Sequence, residues 1–198
     1  MDYATVNYAV TEKGIAVITF NRPEQMNAVN EQMMTDMAAA CRTAQADDAV
    51  KLVVITGAGR GFSSGGDLDM IMNCKTPVHA KDVFDGFGAM ALAIYEITKP
   101  VIAAVNGTVA GASMAPLMAC DIILATDKVR FGYTFTSVGL CPDNGTSYFL
   151  VQKVGYHRAA EILWEGRILS AQEAYELNMV NRILPADNFM AAVMDYAE

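Results

Sequence analysis

Four short runs of apolar residues organise the chain, at 15–20, 52–56, 101–105 and 122–125. Each is continuous rather than alternating, as in Val101-Ile102-Ala103-Ala104-Val105. That pattern belongs to strands covered on both faces. Tyr8-Ala9-Val10 ahead of Gly14 supplies a hairpin partner for the first run, and Asn21-Arg22-Pro23 breaks the sheet after it. Between the runs the period changes. From 30 to 46, Met33, Met34, Met37, Ala38 and Cys41 recur at three and four residues, the stripe of an amphipathic helix. A second helix is expected at 87–97, stopped by Lys99-Pro100, and a small-residue helix at 112–120. Residues 71–85 show no period and read as irregular. Buried strands alternating with helices predict a layered α/β fold.

The last third reads as helical, at 146–154, 157–164, 171–178 and from 187 onwards. Ser170 with Glu173 three residues on is a capping box, which places a helix start at Ala171. In the final segment Phe189, Val193 and Met194 form an amphipathic pattern that runs to Glu198. Such a pattern is expected either to continue into further chain or to dock on a neighbour.

A chain of 198 residues, 53% hydrophobic and without a Pro/Ser-rich linker, can bury one sizeable core. Twenty-two acidic residues against fourteen basic ones give a net charge of −8. That balance disfavours nucleic acid and anionic membrane as partners but leaves room for a small anionic ligand. Cys41, Cys74, Cys120 and Cys141 are scattered, with only His79 and His157 beside them. The spacing predicts no metal site and fits reduced thiols in a cytoplasmic setting. The N-terminus lacks a basic region followed by an apolar run, and no eighteen-residue apolar stretch occurs, so neither secretion nor membrane spanning is expected.

The run at 52–56 feeds the stretch Gly57-Ala58-Gly59-Arg60-Gly61-Phe62-Ser63-Ser64-Gly65-Gly66-Asp67-Leu68. Five glycines in one loop exceed what a tight turn needs, and backbone N–H groups near a helix start suit an anionic oxygen. Asn106-Gly107-Thr108-Val109-Ala110-Gly111-Ala112-Ser113 links the next buried run to a helix start in the same way. From one parallel sheet both loops would leave at the carboxyl edge, where open α/β sheets bind ligands. Two converging N–H donors would make an oxyanion hole for an enolate or a tetrahedral adduct. The competing reading is that these small residues only allow close packing of helix on sheet, and the pattern alone does not separate the two.

These stretches carry a resemblance to the enoyl-CoA hydratase/isomerase (crotonase) family over essentially the whole chain. The matching pieces are Asn21-Arg22-Pro23 through Asn27-Ala28, Gly61 to Leu68, Lys99 to Gly107, and Ala119-Cys120-Asp121. The resemblance implies a crotonase-like spiral of repeated ββα units, with a core at 1–185. It also implies that 186–198 begins a C-terminal helical oligomerisation region that is incomplete in this chain. The implied ligand is a coenzyme A thioester, with no prosthetic group, and the implied assembly is a homo-trimer that can pair into a hexamer. The family's two oxyanion N–H groups fall on Gly66 and Ala112, where the second position is usually glycine. Contacts to coenzyme A fall on the backbone near Ala28 and on Ser64, Gly66, Asp67 and Leu68.

The two glutamates with which the family's hydratases handle water fall on Ala115 and Phe135, and neither residue can take a proton. Asp143, in Pro142-Asp143-Asn144-Gly145, matches the position where isomerase branches place a carboxylate. The resemblance therefore implies an enoyl-CoA isomerase using Asp143, Gly66 and Ala112. A hydratase or lyase of unusual mechanism and a non-catalytic acyl-CoA binder are the alternatives. Read locally, Asp143 also suits a turn or cap ahead of Thr146. Asp67 is expected to cap a helix, Asp121 to satisfy nearby backbone, and Tyr133 to line the pocket. His79 is a second acid/base candidate from the irregular stretch, and His157 is expected at the surface.

Overall fold

The computed structural model describes residues 2–198. A hairpin opens it, β1 (Val6–Val10) antiparallel to β2 (Ile15–Phe20), followed by α1 (Glu31–Ala46). Next come β3 (Leu52–Gly57), β4 (Gly61–Ser63), α2 (Leu68–Met72) and α3 (Pro77–Tyr95). The unit recurs as β5 (Val101–Val105), β6 (Thr108–Ala110) and α4 (Met114–Met118). It recurs again as β7 (Ile122–Thr126), β8 (Arg130–Gly132) and α5 (Thr146–Val154). The chain closes with α6 (Tyr156–Glu165), β9 (Ile168–Ser170), α7 (Ala171–Glu176), β10 (Arg182–Leu184) and α8 (Phe189–Ala197).

In each repeat the first strand joins one sheet and the second joins another. The larger sheet runs β1-β2-β3-β5-β7-β10, parallel from β2 onward, and the smaller runs β4-β6-β8-β9. This is the spiral of ββα units that the resemblance implied. The apolar runs are continuous because both faces of the larger sheet are covered. Val53, Ile55, Ala103 and Val105 point into the main core with Met33, Met37 and Phe87, while Val54, Ile102, Ala104 and Leu124 meet Phe189 and Val193 of α8. The terminal amphipathic helix therefore finds its apolar partner on the chain's own sheet.

Local signals explain the boundaries. Asn30 caps α1 by accepting from the Met33 N–H, and the Ser170–Glu173 capping box starts α7. The expectation of an irregular 71–85 is corrected: Thr76 caps α3 at His79 N, Pro77 occupies the first turn, and the helix runs unbroken to Tyr95. Its apolar stripe, Val83, Phe87, Met90 and Ile94, emerges only once the helix starts at 77. The helix expected at 112–120 is split into a 3₁₀ turn at Gly111–Ser113 and α4. Strands β4, β6, β8 and β9 span three residues each, too short to leave an apolar period of their own.

The two sheets are locked together beside the glycine loop by Phe20 and Phe62, both fully buried, with ring centroids 5.4 Å apart edge to face. Phe62→Ala should cost about 3–5 kcal/mol of stability, the range for deleting a core aromatic ring. Urea unfolding would check this, and a loss under about 1 kcal/mol would mean that the corner repacks without that ring.

Candidate active site

The two loops singled out from sequence are structurally equivalent corners. Strands β3 and β5 are parallel neighbours, and β4 and β6 pair in parallel through Gly61–Thr108 and Ser63–Val109. The chain leaves β4 through Ser64-Gly65-Gly66 and leaves β6 through the 3₁₀ turn at Gly111–Ser113. Gly65 has φ +99°, and a Cβ there would lie 2.7 Å from the Ala110 carbonyl oxygen and 3.4 Å from the Ala112 nitrogen. The loops thus touch backbone to backbone, and only glycine fits the contact.

A buried hydroxyl fastens this junction. Ser63 Oγ donates to the Asn27 carbonyl at 2.7 Å, lies 2.6 Å from Ser113 Oγ and accepts from Gly65 N at 3.3 Å. A serine hydroxyl has one proton, and Asn27 takes it, so Ser113 is the donor to Ser63. Asn27, fully buried, sends its amide to the Ala58 and Gly61 carbonyls at 2.9 Å each.

Two N–H groups are left over at the corners. Val29 bridges the first loop through the Gly65 carbonyl (2.8 Å) and the Asp67 N–H (2.9 Å). In that parallel pattern Gly66's own N–H and carbonyl point away from Val29. Ala112 is the second residue of a 3₁₀ turn, a position with no carbonyl inside the turn to bond. Among the described residues no backbone carbonyl accepts from either N–H. Both residues line one cavity of about 210 Å³, whose walls are largely apolar and include Leu68, Ile71, Phe87, Phe135 and Leu140.

Asp143 lines the same cavity and, among the described residues, is the only ionisable side chain to do so. It stands in the turn before α5, where its carbonyl accepts from Thr146 N at 2.7 Å. Gly145, which has no side chain to cap with, is the N-cap of α5, and the first N–H of the helix goes to the Asp143 carbonyl rather than to its carboxylate. The carboxylate accepts from its neighbour Asn144 at 2.7 Å and from its own backbone N–H. Burial raises its pKa from 3.8 to about 6. Phe135 presents a ring to the cavity, while Ala115 is fully buried within α4.

The remaining candidates sort by contact. Asp67 caps α2 at Met70 N (3.4 Å) and pairs with Arg22 at 3.0 Å. The same Arg22 nitrogen reaches the Ala28 carbonyl at 2.5 Å, tying the Ala28 turn to the glycine loop. Ser64 and Leu68 both line the cavity. Asp121 accepts from Val101 N at 2.8 Å, as expected of a backbone satisfier. His79 lies on α3, 3.6 Å from Glu31 in a separate cleft, away from Asp143. His157 is exposed at the start of α6. Tyr133 corrects an expectation: its ring is wholly buried in the core and the cavity is lined by Thr134 and Phe135 instead. Sequence reasoning missed Arg22, Ser63 and Ser113 as builders of the site. A serine at the last position of one short strand, facing a serine three residues after another, was the available signal.

The profile of the enoyl-CoA hydratase/isomerase family matches residues 10–198. The chain belongs to this family. It is 33% identical to 4-chlorobenzoyl coenzyme A dehalogenase-2 of an Arthrobacter species, over 93% of this chain and 68% of the relative. It is also 33% identical to 1,2-epoxyphenylacetyl-CoA isomerase of Escherichia coli K12, over 87% of this chain and 67% of the relative. Among solved structures, an enoyl-CoA hydratase from Mycobacterium avium subsp. paratuberculosis K-10 superposes with a TM-score of 0.90 at 32% identity, covering 100% of this chain and 78% of that one. The family acts on thioesters of coenzyme A, and coenzyme A stands in the names of both of these relatives. Within the described residues no group of three metal-ligating side chains comes together, and no helix is long and apolar enough to cross a membrane.

Because Asp143 holds its proton more tightly folded than unfolded, its contribution to stability is fully present below about pH 4 and is lost as pH rises through about 6. Asp143→Asn removes that loss. Urea midpoints measured from pH 4 to 8 should show the variant gaining on the wild type as pH rises, whereas parallel curves would mean a fully solvated carboxylate.

Proposed function

We propose that this member of the enoyl-CoA hydratase/isomerase family is an acyl-CoA double-bond isomerase. The observation that carries this reading is the pairing of one carboxylate, Asp143, with two uncommitted N–H groups, those of Gly66 and Ala112, around a single apolar cavity. The thioester carbonyl oxygen sits on the two N–H groups. The Asp143 carboxylate takes a proton from C2 of a 3-enoyl thioester, and the electron pair delocalises into a dienolate whose negative oxygen the N–H groups stabilise. Asp143 then returns the proton to C4, leaving the double bond between C2 and C3. No water enters the balance.

The apolar Ala115 and Phe135 support this choice over hydration, which needs a water held and activated beside the double bond. Phe135 occupies cavity wall and Ala115 is packed away in α4, so neither position offers a second proton carrier. A carboxyl with a pKa near 6 suits the task, since it is mostly ionised at neutral pH yet more basic than free aspartate. The same reading places coenzyme A against the Ala28 turn and Ser64 to Leu68, which Arg22 and Asp67 hold in register. It also takes the family's homo-trimer, a hexamer where trimers pair, as the assembly and the cytoplasm as the setting. Light scattering across a wide concentration range should give a trimer mass or twice it, and a persistent monomer would overturn that assembly.

Asp143→Asn keeps the size and the Asn144 contact but removes the base. Turnover of a 3-enoyl-CoA should fall by about 10²- to 10⁴-fold with little change in thioester affinity. In the wild type kcat/KM should rise with pH through about 6, and the variant should lose that limb. Ala115→Glu restores one carboxylate without the other and should yield little hydratase activity. Full turnover in Asp143→Asn would place the base elsewhere, and tight thioester binding without turnover in the wild type would favour the non-catalytic binder.

A further inference from the structure

The two corners are held in different ways. The first is tied along its length to the turn before α1: Ser64 N donates to the Met26 carbonyl at 3.0 Å, Val29 N to the Gly65 carbonyl at 2.8 Å and Asp67 N to the Val29 carbonyl at 2.9 Å. Gly66 therefore sits between two anchored residues. The second corner is a 3₁₀ turn closed from within, by Met114 N donating to the Gly111 carbonyl. That bond fixes the shape of the turn and leaves open where the turn lies against the first corner. Beyond the β4–β6 ladder, one hydrogen bond among the described residues joins the two corners, Ser113 Oγ to Ser63 Oγ at 2.6 Å, fully buried.

Each end of this link lies one residue from an uncommitted donor. Ser113 follows Ala112 directly, and the Ser63 oxygen also accepts from Gly65 N, next to Gly66. The fold itself has little need of the Ser113 hydroxyl. Ser63 gives its proton to the Asn27 carbonyl and keeps the Gly65 N–H, so taking Ser113 Oγ away strands no other buried donor. What the link adds is placement, and a displacement of about 1 Å at a reacting group can cost on the order of 10²-fold in rate.

Resting on the isomerase reading for where the thioester lies, we propose that Ser113 is a positioning residue: its hydroxyl, through Ser63, sets the separation at which the Gly66 and Ala112 N–H groups share one oxygen. Its effect falls on the enolate more than on the bound thioester. A neutral carbonyl tolerates one long hydrogen bond, whereas an oxyanion gains from two short ones.

Two readouts separate this role from a structural one. Ser113→Ala should keep a urea midpoint close to that of the wild type, while kcat for a 3-enoyl-CoA falls about 10- to 100-fold and KM changes little. The second readout needs no isomerisation. 3-Oxobutyryl-CoA loses its C2 proton to solvent, the electron pair spreads over its two oxygens, and the enolate has its own ultraviolet band. At fixed pH and saturating protein, the wild type should raise the enolate-to-keto ratio above that of the free ligand, and Ser113→Ala should give back about 10- to 100-fold of it. Ser113→Cys keeps a weak donor of similar size and should recover part of both losses. Ser63→Ala should show the same losses with a lower urea midpoint, since it strands the Ser113 hydroxyl and the Gly65 N–H in the core. Unchanged kcat and enolate ratio in Ser113→Ala would overturn the positioning role, as would a loss confined to KM. A collapsed urea midpoint in that variant would assign the hydroxyl to the fold instead. A wild type that leaves the ratio at its free value would overturn the shared hole and this proposal with it. No isomerisation beside a ratio that still depends on Ser113 would overturn the isomerase reading alone.

Discussion

The site depends on one close contact, the backbone of Gly65 lying against that of Ala110, with the Ser63 hydroxyl as its fastener. Two strand-to-helix corners from successive repeats could sit side by side in many ways. Here a missing Cβ lets them touch, and one buried oxygen joins three segments of chain, those around Asn27, Gly65 and Ser113. A buried hydroxyl without its partners would cost on the order of 1–3 kcal/mol, so the network favours this one arrangement over loose alternatives. The placement of Gly66 and Ala112 on a common cavity follows from it. Preorganised donors contribute most when they need not move during the reaction, which is what such a fixed junction provides.

The larger sheet was legible in the sequence because each strand is buried on both faces and shows an unbroken apolar run. The smaller sheet was not, since three-residue strands have no period to detect, and only the resemblance implied it. The start of α3 was missed for a related reason. Its first two turns carry Val78, His79, Lys81 and Asp82 on exposed surface, so the apolar stripe begins, at Val83, nearly two turns after the helix does. The glycine loops pointed to two backbone corners, and the structure brings those corners together on one cavity. Their fasteners, Ser63, Ser113, Arg22 and Asn27, are polar residues whose partners lie five to fifty positions away, and spacing along the chain carries no trace of such pairs.

Asp143 illustrates how one environment serves several ends. The apolar walls that exclude water also penalise its charge and hold its pKa near 6. At neutral pH roughly nine-tenths of such a group is ionised, and it is about two pKa units more basic than a solvated aspartate. A drier cavity would push the carboxyl further toward neutrality and leave less base; a wetter one would forfeit basicity. A hydrogen bond from its own backbone N–H moderates the balance by favouring the charged form.

Gly65 and Ala112 show why glycine-rich loops tolerate some replacements and not others. At Gly65 φ is positive and any Cβ would strike the Ala110 carbonyl at 2.7 Å, a backbone atom that cannot yield. At Ala112 the backbone sits in a right-handed 3₁₀ turn that any residue can adopt, and its methyl group lies among the lining of the cavity. On the isomerase reading that corner has to supply an N–H, and alanine offers one as glycine does. The requirement for glycine thus follows the close contact between the loops, and the corner at Ala112, which makes no such contact, carries a side chain.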